Sequence, residues 1–390
     1  MSTKAKKTPK PAKAVGSELS GLKVAIVHDW MLLGGAEKVV EQLMELFPDA
    51  PLYTSAISPY WDQKLAHRDV ITGYLDRWPF KKIRKFVPFL RQRWFSGLDF
   101  SYYDLVISSS GAEAKGLHVP PGVLHINYCH APTHYYWSRY ESYIQNPGFG
   151  FMDPIARFGL KLLLKPMRSW DLQAAQKPHL MVANSEHTAA QIRKYYKRDA
   201  VVVHPPVDTE RFAKHHPSER KYFVVAGRQT PYKRIDLAVQ AATKLGVPLV
   251  VAGNGPQHDK LVAMAGSTVR FDTKVSDARM VRYFQEAKAF LFPGIDDFGI
   301  TPVEALAAGT PVIAYKAGGA LDYVVPRKTG LFFDQPTADS LAAAMQASEA
   351  IRWNEKTIVN KAASFNPATF RNTMLRVIEK EYTAFKKQEG

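Results

Sequence analysis

The stretch from Phe292 to Val324, FPGIDDFGITPVEALAAGTPVIAYKAGGALDYV, crowds acids, glycines and two X-Pro-Val steps around one short alanine-rich helix. An apolar strand ends at Pro293. A loop carrying Asp296, Phe298 and Gly299 follows, and Ile300 and Thr301 lead into a helix that holds Glu304. A helix N-terminus at the end of a parallel strand offers unpaired backbone N–H groups and the positive end of the helix dipole, which together suit a phosphate. An acid in the first turn accepts hydrogen bonds from ribose hydroxyls beside that phosphate. Glu304 also has a purely structural reading, because Thr301-Pro302-Val303-Glu304 spells a capping box with proline at the first helical position. Two cations complete the anion site. In VVAGRQTPYKRIDLA, Arg228 ends a strand and Lys233 stands at the next helix start, so both can converge on a diphosphate and stabilise the charge it develops on leaving. Either alone would be read as a solvated cation. Cys129, near the end of LHINYCH, reads as a small buried hydrophobe.

The elements that must hold these groups follow a repeated pattern. LKVAIVHDW is a short apolar strand, and MLLGGAEKVVEQLMELF opens a helix from the pair Gly34-Gly35. DLVISSS, LHINYCH and LMVANS continue as strands whose unbroken apolar runs fit a parallel sheet covered on both faces. The pattern restarts after AVVVHPPVDTERF, with strands at KYFVVAGR, PLVVAGNG, TVRFDTKV, AFLFPG and PVIAYKAGG and helices at QTPYKRIDLAVQAATKL and ARMVRYFQEA. The expected fold is α/β, with two doubly wound Rossmann-like domains facing across a cleft and ligands at the C-terminal ends of both sheets. The expected boundaries are a disordered basic tail over 1–20, a first domain over 21–204, a second over 205–365, and a helix over 366–390. That helix, capped near Asn366 and Pro367 and striped by Phe370, Met374, Val377 and Tyr382, is expected to return to the first domain.

Composition narrows the partners. With 52 Lys+Arg against 36 Asp+Glu the net charge is +16, which favours an anionic partner such as nucleic acid, an acidic membrane surface or phosphorylated substrates. Twelve of the bases are concentrated in two places: five lysines in the first 16 residues, and seven bases without one acid from Arg77 to Arg93. A single cysteine permits no intramolecular disulfide and fits a reducing, cytoplasmic compartment. The N-terminus lacks the apolar core of a signal peptide, and no apolar run reaches the length of a membrane span, so membrane contact is expected to be peripheral, on the inner face of the cell membrane.

Taken together, GRQTPYKRIDLAVQA, VAGNGP, DDFGITPVEALAAGTPVIAYKAGGALDYV and GLFF, in this order, resemble the retaining nucleotide-sugar glycosyltransferases of family four, which have the two-domain GT-B fold. VHDWMLLGGAEKVV, YDLVISSS, INYCHAPTHYYW and VANSEHTAAQI extend the resemblance over about residues 22 to 385. It implies that Arg228 and Lys233 bind the donor diphosphate, that Glu304 holds the donor ribose, and that Asp296 contacts the donor hexose. Asp296 stands where the family usually has glutamate, one methylene longer. The resemblance also implies that Phe298, Gly299, Ile300 and Thr301 line the donor loop, that His130 lies near the donor sugar, and that Gly34 and Gly35 let phosphates and acceptor approach the first domain, as residues without a Cβ can.

The activity so implied is retaining hexosyl transfer, with same-face attack and a leaving phosphate oxygen taking the acceptor proton. No Asp-x-Asp motif is present, and no metal or other cofactor is expected, because the two cations replace a metal at the leaving diphosphate. The wording is similar to bacterial mannosyltransferases of surface polysaccharide synthesis, which implies GDP-mannose as donor, with a UDP-hexose or a non-catalytic nucleotide- or glycan-binding relative as alternatives. The acceptor is expected to be a glycan or a lipid-linked glycan. RWPFKKIRKFVPFLRQRWF, within residues 77–95, sets Ile83, Phe86, Val87, Leu90 and Trp94 at helical spacing between bases, and is read equally as an anionic-membrane contact and as a helix packed on its own domain. Nucleic acid is not expected, since no zinc, helix-turn-helix or stacking signature organises the bases. A dinucleotide oxidoreductase would need Gly-x-Gly-x-x-Gly after a strand, and neither half carries it.

Overall fold

In the computed structural model the described residues are 19–32, 34–83, 88–145, 150, 153–212 and 219–389. Most of the tail expected over 1–20 lies outside them, as do Arg84, Lys85, Phe86 and Val87 of the basic segment. The chain divides into two compact units, residues 1–128, 142–181 and 370–390 in one and 129–141 and 182–369 in the other.

The first sheet has seven strands: β1 (Val24–His28), β2 (Leu52–Thr54), β3 (Val70–Thr72), β4 (Leu105–Ser109), β5 (Leu124–Cys129), β6 (Leu180–Ala183) and β7 (Val201–Val202). Their order is β3-β2-β1-β4-β5-β6-β7. The second sheet has six strands: β8 (Tyr222–Ala226), β9 (Leu249–Ala252), β10 (Val269–Asp272), β11 (Ala287–Phe292), β12 (Val312–Tyr315) and β13 (Gly330–Phe333), in the order β10-β9-β8-β11-β12-β13. β1 pairs in parallel with β2 and β4, and β8 with β9 and β11. Every residue of β1, β4 and β5 is buried, as their apolar wording requires of strands covered on both faces.

Each sheet therefore reverses its winding beside its first strand, and in such sheets ligands sit at that switch point, beyond the carboxyl ends of the strands. In the second unit the switch lies between β8, which leads into Gly227 and Arg228, and β11, which leads into Pro293 and Gly294. In the first it lies between β1, followed by Asp29, and β4, followed by Ser110.

The last helix, Pro367–Glu389, packs within the first unit, as expected. Asn366 caps it by accepting from Thr369 N at 2.7 Å. Its buried stripe is Phe370, Met374, Ile378, Tyr382 and Phe385, so Ile378 takes the place expected for Val377, which is only half-buried. Steps of four residues hold an apolar stripe on one face. The Phe370 ring meets Tyr128 edge-on at 5.9 Å and Phe385 meets His179 at 4.9 Å.

Among its described residues the basic segment contains a one-turn helix Phe80–Ile83 and a second helix Pro88–Ser96. The second helix turns inward: Phe95 is buried, and Arg91 forms a buried ion pair with Glu113 at 2.8 Å. The indole of Trp94 occupies the space a Cβ on Gly73 would need. Leu90 and Trp94 are half-buried, and among the described large apolar residues of the segment only Trp78 and Phe89 are widely exposed. Among the described residues no helix is long and apolar enough to cross a membrane.

Candidate functional site

In the second unit the loop after β8 rises through Gly227, whose φ of +140° favours glycine, to an exposed Arg228. Gln229 behind it is fully buried. Its amide nitrogen donates to Gly253 O at 2.7 Å, and its backbone N donates to Asn254 O at 3.0 Å. This clasp fixes the Arg228 loop to the loop after β9. The glycines of VAGNGP make it possible: a Cβ on Gly253 would lie 2.4 Å from Gly227 O, and one on Gly255 2.7 Å from Gln229 N. The chain then forms a short 3-10 helix, Pro231–Lys233, turns at Arg234 in the left-handed region (φ +49°), and enters the helix Ile235–Leu245.

Lys233 Nζ donates to the carboxylate of Asp296, both side chains largely buried, so two of the residues expected at the site meet directly. The loop carrying Asp296 is pressed against its neighbours. Gly294 passes so close to the Lys233 backbone that a Cβ there would sit 2.8 Å from Lys233 Cα. Gly319 N donates to Asp296 O at 2.9 Å. A Cβ on Gly318 would meet Asp296 O at 2.6 Å, and one on Gly319 would meet Phe298 Cα at 2.3 Å. Phe298 is buried and meets Tyr323 edge-on at 5.5 Å and Phe365 at 5.6 Å.

The helix after this loop is Ile300–Ala307, with Gly299 at the N-cap in the left-handed region (φ +87°). The capping box expected from Thr301 to Glu304 does not form. Gly299 starts the helix earlier, which places Thr301 and Pro302 inside its first turn, and no side chain caps it. Glycine reaches this φ without the steric cost a side chain incurs, and a Cβ here would strike the Tyr323 hydroxyl and the Phe292 ring. The backbone N–H groups of Ile300 and Thr301 are thereby left to the end of the helix, where an anion is favoured. Glu304 is half-buried, one turn further in.

Sequence reasoning missed the groups beside Asp296. Asp297 Oδ2 lies 2.8 Å from His134 Nε2 and 4.0 Å from Arg139, and Arg139 in turn stacks over the Tyr232 ring at 3.9 Å. Burial pushes the Asp297 carboxyl up, but the His134 hydrogen bond and the charges of His134, Arg139 and His187 outweigh it and hold it below the ordinary carboxylate value. Burial lowers His187, against the opposing pull of Asp297 and Asp322. These groups border a pocket of about 660 Å³ whose lining includes His134, Arg139, His187, Gln191, Tyr195 and Tyr232, and none of the residues singled out from the sequence. Its only sequence signal was the polar and aromatic wording of HAPTHYYWSR; the partner, Asp297, is 163 positions away. His130 is half-buried after β5, its carbonyl accepting from Asn184 Nδ2 at 2.7 Å. Cys129 is buried, as expected.

In the first unit, Gly35 is the N-cap of the helix Ala36–Leu46. Asp29, just past β1, is nearly buried and well satisfied, accepting from Ser110 Oγ and Ala114 N, both at 2.8 Å. Glu37, in the helix's first turn, differs. Its Oε1 accepts from Leu32 N at 3.1 Å, while Oε2 is buried with no hydrogen-bond partner among the described residues. Burial raises its pKa, only partly offset by His28. The sequence reading passed over it as well.

A family model described as Glycosyltransferase Family 4 matches residues 33–211, and one described as Glycosyl transferases group 1 matches residues 206–364. The chain is 28% identical over 201 residues to a D-inositol 3-phosphate glycosyltransferase from Nocardioides sp., covering 42% of this chain and 44% of that protein. It is 33% identical over 119 residues to a GDP-mannose-dependent alpha-mannosyltransferase from Mycolicibacterium smegmatis, covering 30% of this chain and 32% of that protein. It thus spans less than half the length of these curated relatives. Among solved structures, sucrose-phosphate synthase from Thermosynechococcus elongatus has a like fold, with a TM-score of 0.68 at 18% identity over 93% of this chain and 100% of that one.

Proposed function

Because the chain belongs to the family 4 glycosyltransferases, its two matched models together covering residues 33–364, we propose that it moves a hexose from a nucleotide sugar to a hydroxyl of a glycan or lipid-linked glycan. The observation that carries this reading is the meeting of Lys233 with Asp296 at the switch point of the second sheet, beside Arg228 and the open N-terminus of Ile300–Ala307. Cations, free backbone N–H groups and an acid in that arrangement suit a diphosphate with a sugar on one side and a ribose on the other.

In this reading the donor diphosphate takes Lys233 from Asp296, which frees the carboxylate for the hexose hydroxyls, while Glu304 accepts from the ribose. The bond between the anomeric carbon and the phosphate oxygen breaks, the acceptor oxygen bonds to the same face of the sugar, and the acceptor proton passes to the leaving phosphate oxygen. Configuration is retained. Arg228 and Lys233 stabilise the departing charge without a metal, and the protein contributes positioning and electrostatics more than proton transfer. Similarity to a GDP-mannose-dependent alpha-mannosyltransferase supports mannose from GDP-mannose as donor. The pocket beside Asp297, with Arg139 and three tyrosines in its lining, suits an acceptor rich in hydroxyls and bearing negative charge. The exposed Trp78 and Lys81 of segment 77–95 support an acceptor met at an anionic membrane surface.

The test is calorimetric titration with GDP, UDP and ADP, with and without magnesium, followed by transfer assays with the matching donor. Arg228→Ala and Lys233→Ala are each expected to lower the transfer rate by roughly 10² to 10³, the usual cost of one preorganised electrostatic group. Full activity in Arg228→Ala would remove it from the mechanism, and tightest binding of UDP would replace GDP-mannose by a UDP-hexose.

A further inference from the structure

The helix Asp153–Ala174, in the first unit, carries large apolar side chains on its outside. Ile155 is 68% exposed, Phe158 70%, Leu162 66% and Leu163 54%. Scattered exposed apolar residues are ordinary, whereas a contiguous patch marks a contact surface. Spacings of three and four put Ile155, Phe158 and Leu162 on one face of the helix, with Leu163 at its margin. Arg157, Lys161 and Lys165, again four apart and all exposed, form a second stripe alongside. From Pro154 to Trp170 there is no acid.

The inner side of the same helix is firmly held, so the exposed stripe does not result from a loosely docked element. Asp171 and Lys115 form a fully buried ion pair at 2.6 Å, and the Lys115 ammonium also donates to Ala112 O at 2.6 Å. Trp170 packs so closely on Gly116 that a Cβ there would lie 3.0 Å from its ring. An uncompensated charge in such a place is costly, so this pair fixes which face of the helix turns out.

We infer that the outer face of Asp153–Ala174 is a lipid-contact surface, seated at the headgroup level of an anionic membrane. An apolar stripe bordered by lysine and arginine and free of acids is the pattern of a helix lying in a membrane interface: the apolar side chains enter the acyl boundary and the bases meet acidic headgroups. Charge decides against a second copy of this chain as the occupant, because an isologous contact would bring the Arg157, Lys161 and Lys165 stripes together. The inference moves the principal membrane contact away from segment 77–95, whose second helix turns inward. It stands on the first unit alone and does not depend on the donor assignment.

The test uses the full chain and flotation with vesicles of phosphatidylcholine, alone and mixed with phosphatidylglycerol, at low and high salt. Wild type is expected to float with the mixed vesicles and to be released by salt. Phe158→Ser with Leu162→Ser is expected to lower binding at least tenfold, and Lys161→Gln with Lys165→Gln to abolish the preference for phosphatidylglycerol. Thermal midpoints and nucleotide titration should not change in either variant, since all four side chains are exposed. Undiminished flotation of Phe158→Ser with Leu162→Ser would overturn the inference, as would wild type that does not float. A dimer in analytical ultracentrifugation that the same variant dissolves, with no vesicle binding, would assign the face to a second copy instead.

Discussion

The letters Gly-Gly-Ala occur at 34–36 and again at 318–320, each time after a strand and at the start of a helix, and the two turns use their glycines for opposite ends. Their N-cap backbones are nearly alike, with φ −84° and ψ −23° at Gly35 and φ −64° and ψ −13° at Gly319. What differs is the neighbour. At 318–319 the missing Cβ atoms are replaced by backbone of the Asp296–Phe298 loop, at 2.3 to 2.6 Å from where they would stand. At Gly34 the nearest atom is the carboxylate end of Glu37, at 3.0 Å. One pair lets the protein close on itself and so shapes a loop; in the other, Gly34 faces the flexible end of a side chain. A motif of identical letters can thus be fixed by backbone packing in one unit and face a flexible side chain in the other.

The comparison can be broken in three ways. The largest effect is expected from Gly319→Ala. Backbone must shift to admit the methyl group, so stability should fall by about 1–3 kcal/mol or more, as overpacking does, and nucleotide affinity should fall with it because Asp296 moves. Chemical denaturation and titration read both. Gly34→Ala should leave the unfolding midpoint within about 0.5 kcal/mol of wild type, since a flexible side chain gives way, while kcat/KM for transfer drops. Equal destabilisation by the two substitutions would refute the distinction drawn between them.

The smallest effect concerns Glu37. Its folded pKa lies above the ordinary 4.5, so across that window the folded state binds more protons than the unfolded one, and stability declines as pH rises from 4.5 through the folded value. Glu37→Gln should remove this part of the pH dependence and leave the protein at least as stable at neutral pH. If stability measured from pH 4 to 8 kept the same slope in the variant, Glu37 would not be its source.

Much of the fold was legible because buried parallel strands announce themselves. VAIVH, LVISS, LHINYC and YFVVA are short, mostly apolar runs followed closely by polar or glycine positions, and all were recognised. Leu52–Thr54, Val70–Thr72 and Val201–Val202 were not, since two or three residues are too few to show a period. Asp153–Ala174 escaped for another reason: leucines on several faces give no single stripe, and Pro166 argues against a helix that the structure nonetheless contains. Of the candidate site, Arg228, Lys233 and Glu304 could be singled out from charges placed at strand ends and helix starts, and Asp296 only through the family resemblance. The His134–Asp297 pair could not, because nothing local joins residues 163 positions apart.

The sequence by itself determined two doubly wound series, the positions of their glycine turns and the cations at the end of β8, because strand burial and turn chemistry are local demands. Tertiary structure alone decided which glycines are required by packing, that Gly299 rather than Thr301 begins the helix after β11, and which face of Asp153–Ala174 turns outward. Each of those depends on what stands across from a residue, and that neighbour comes from a distant part of the chain.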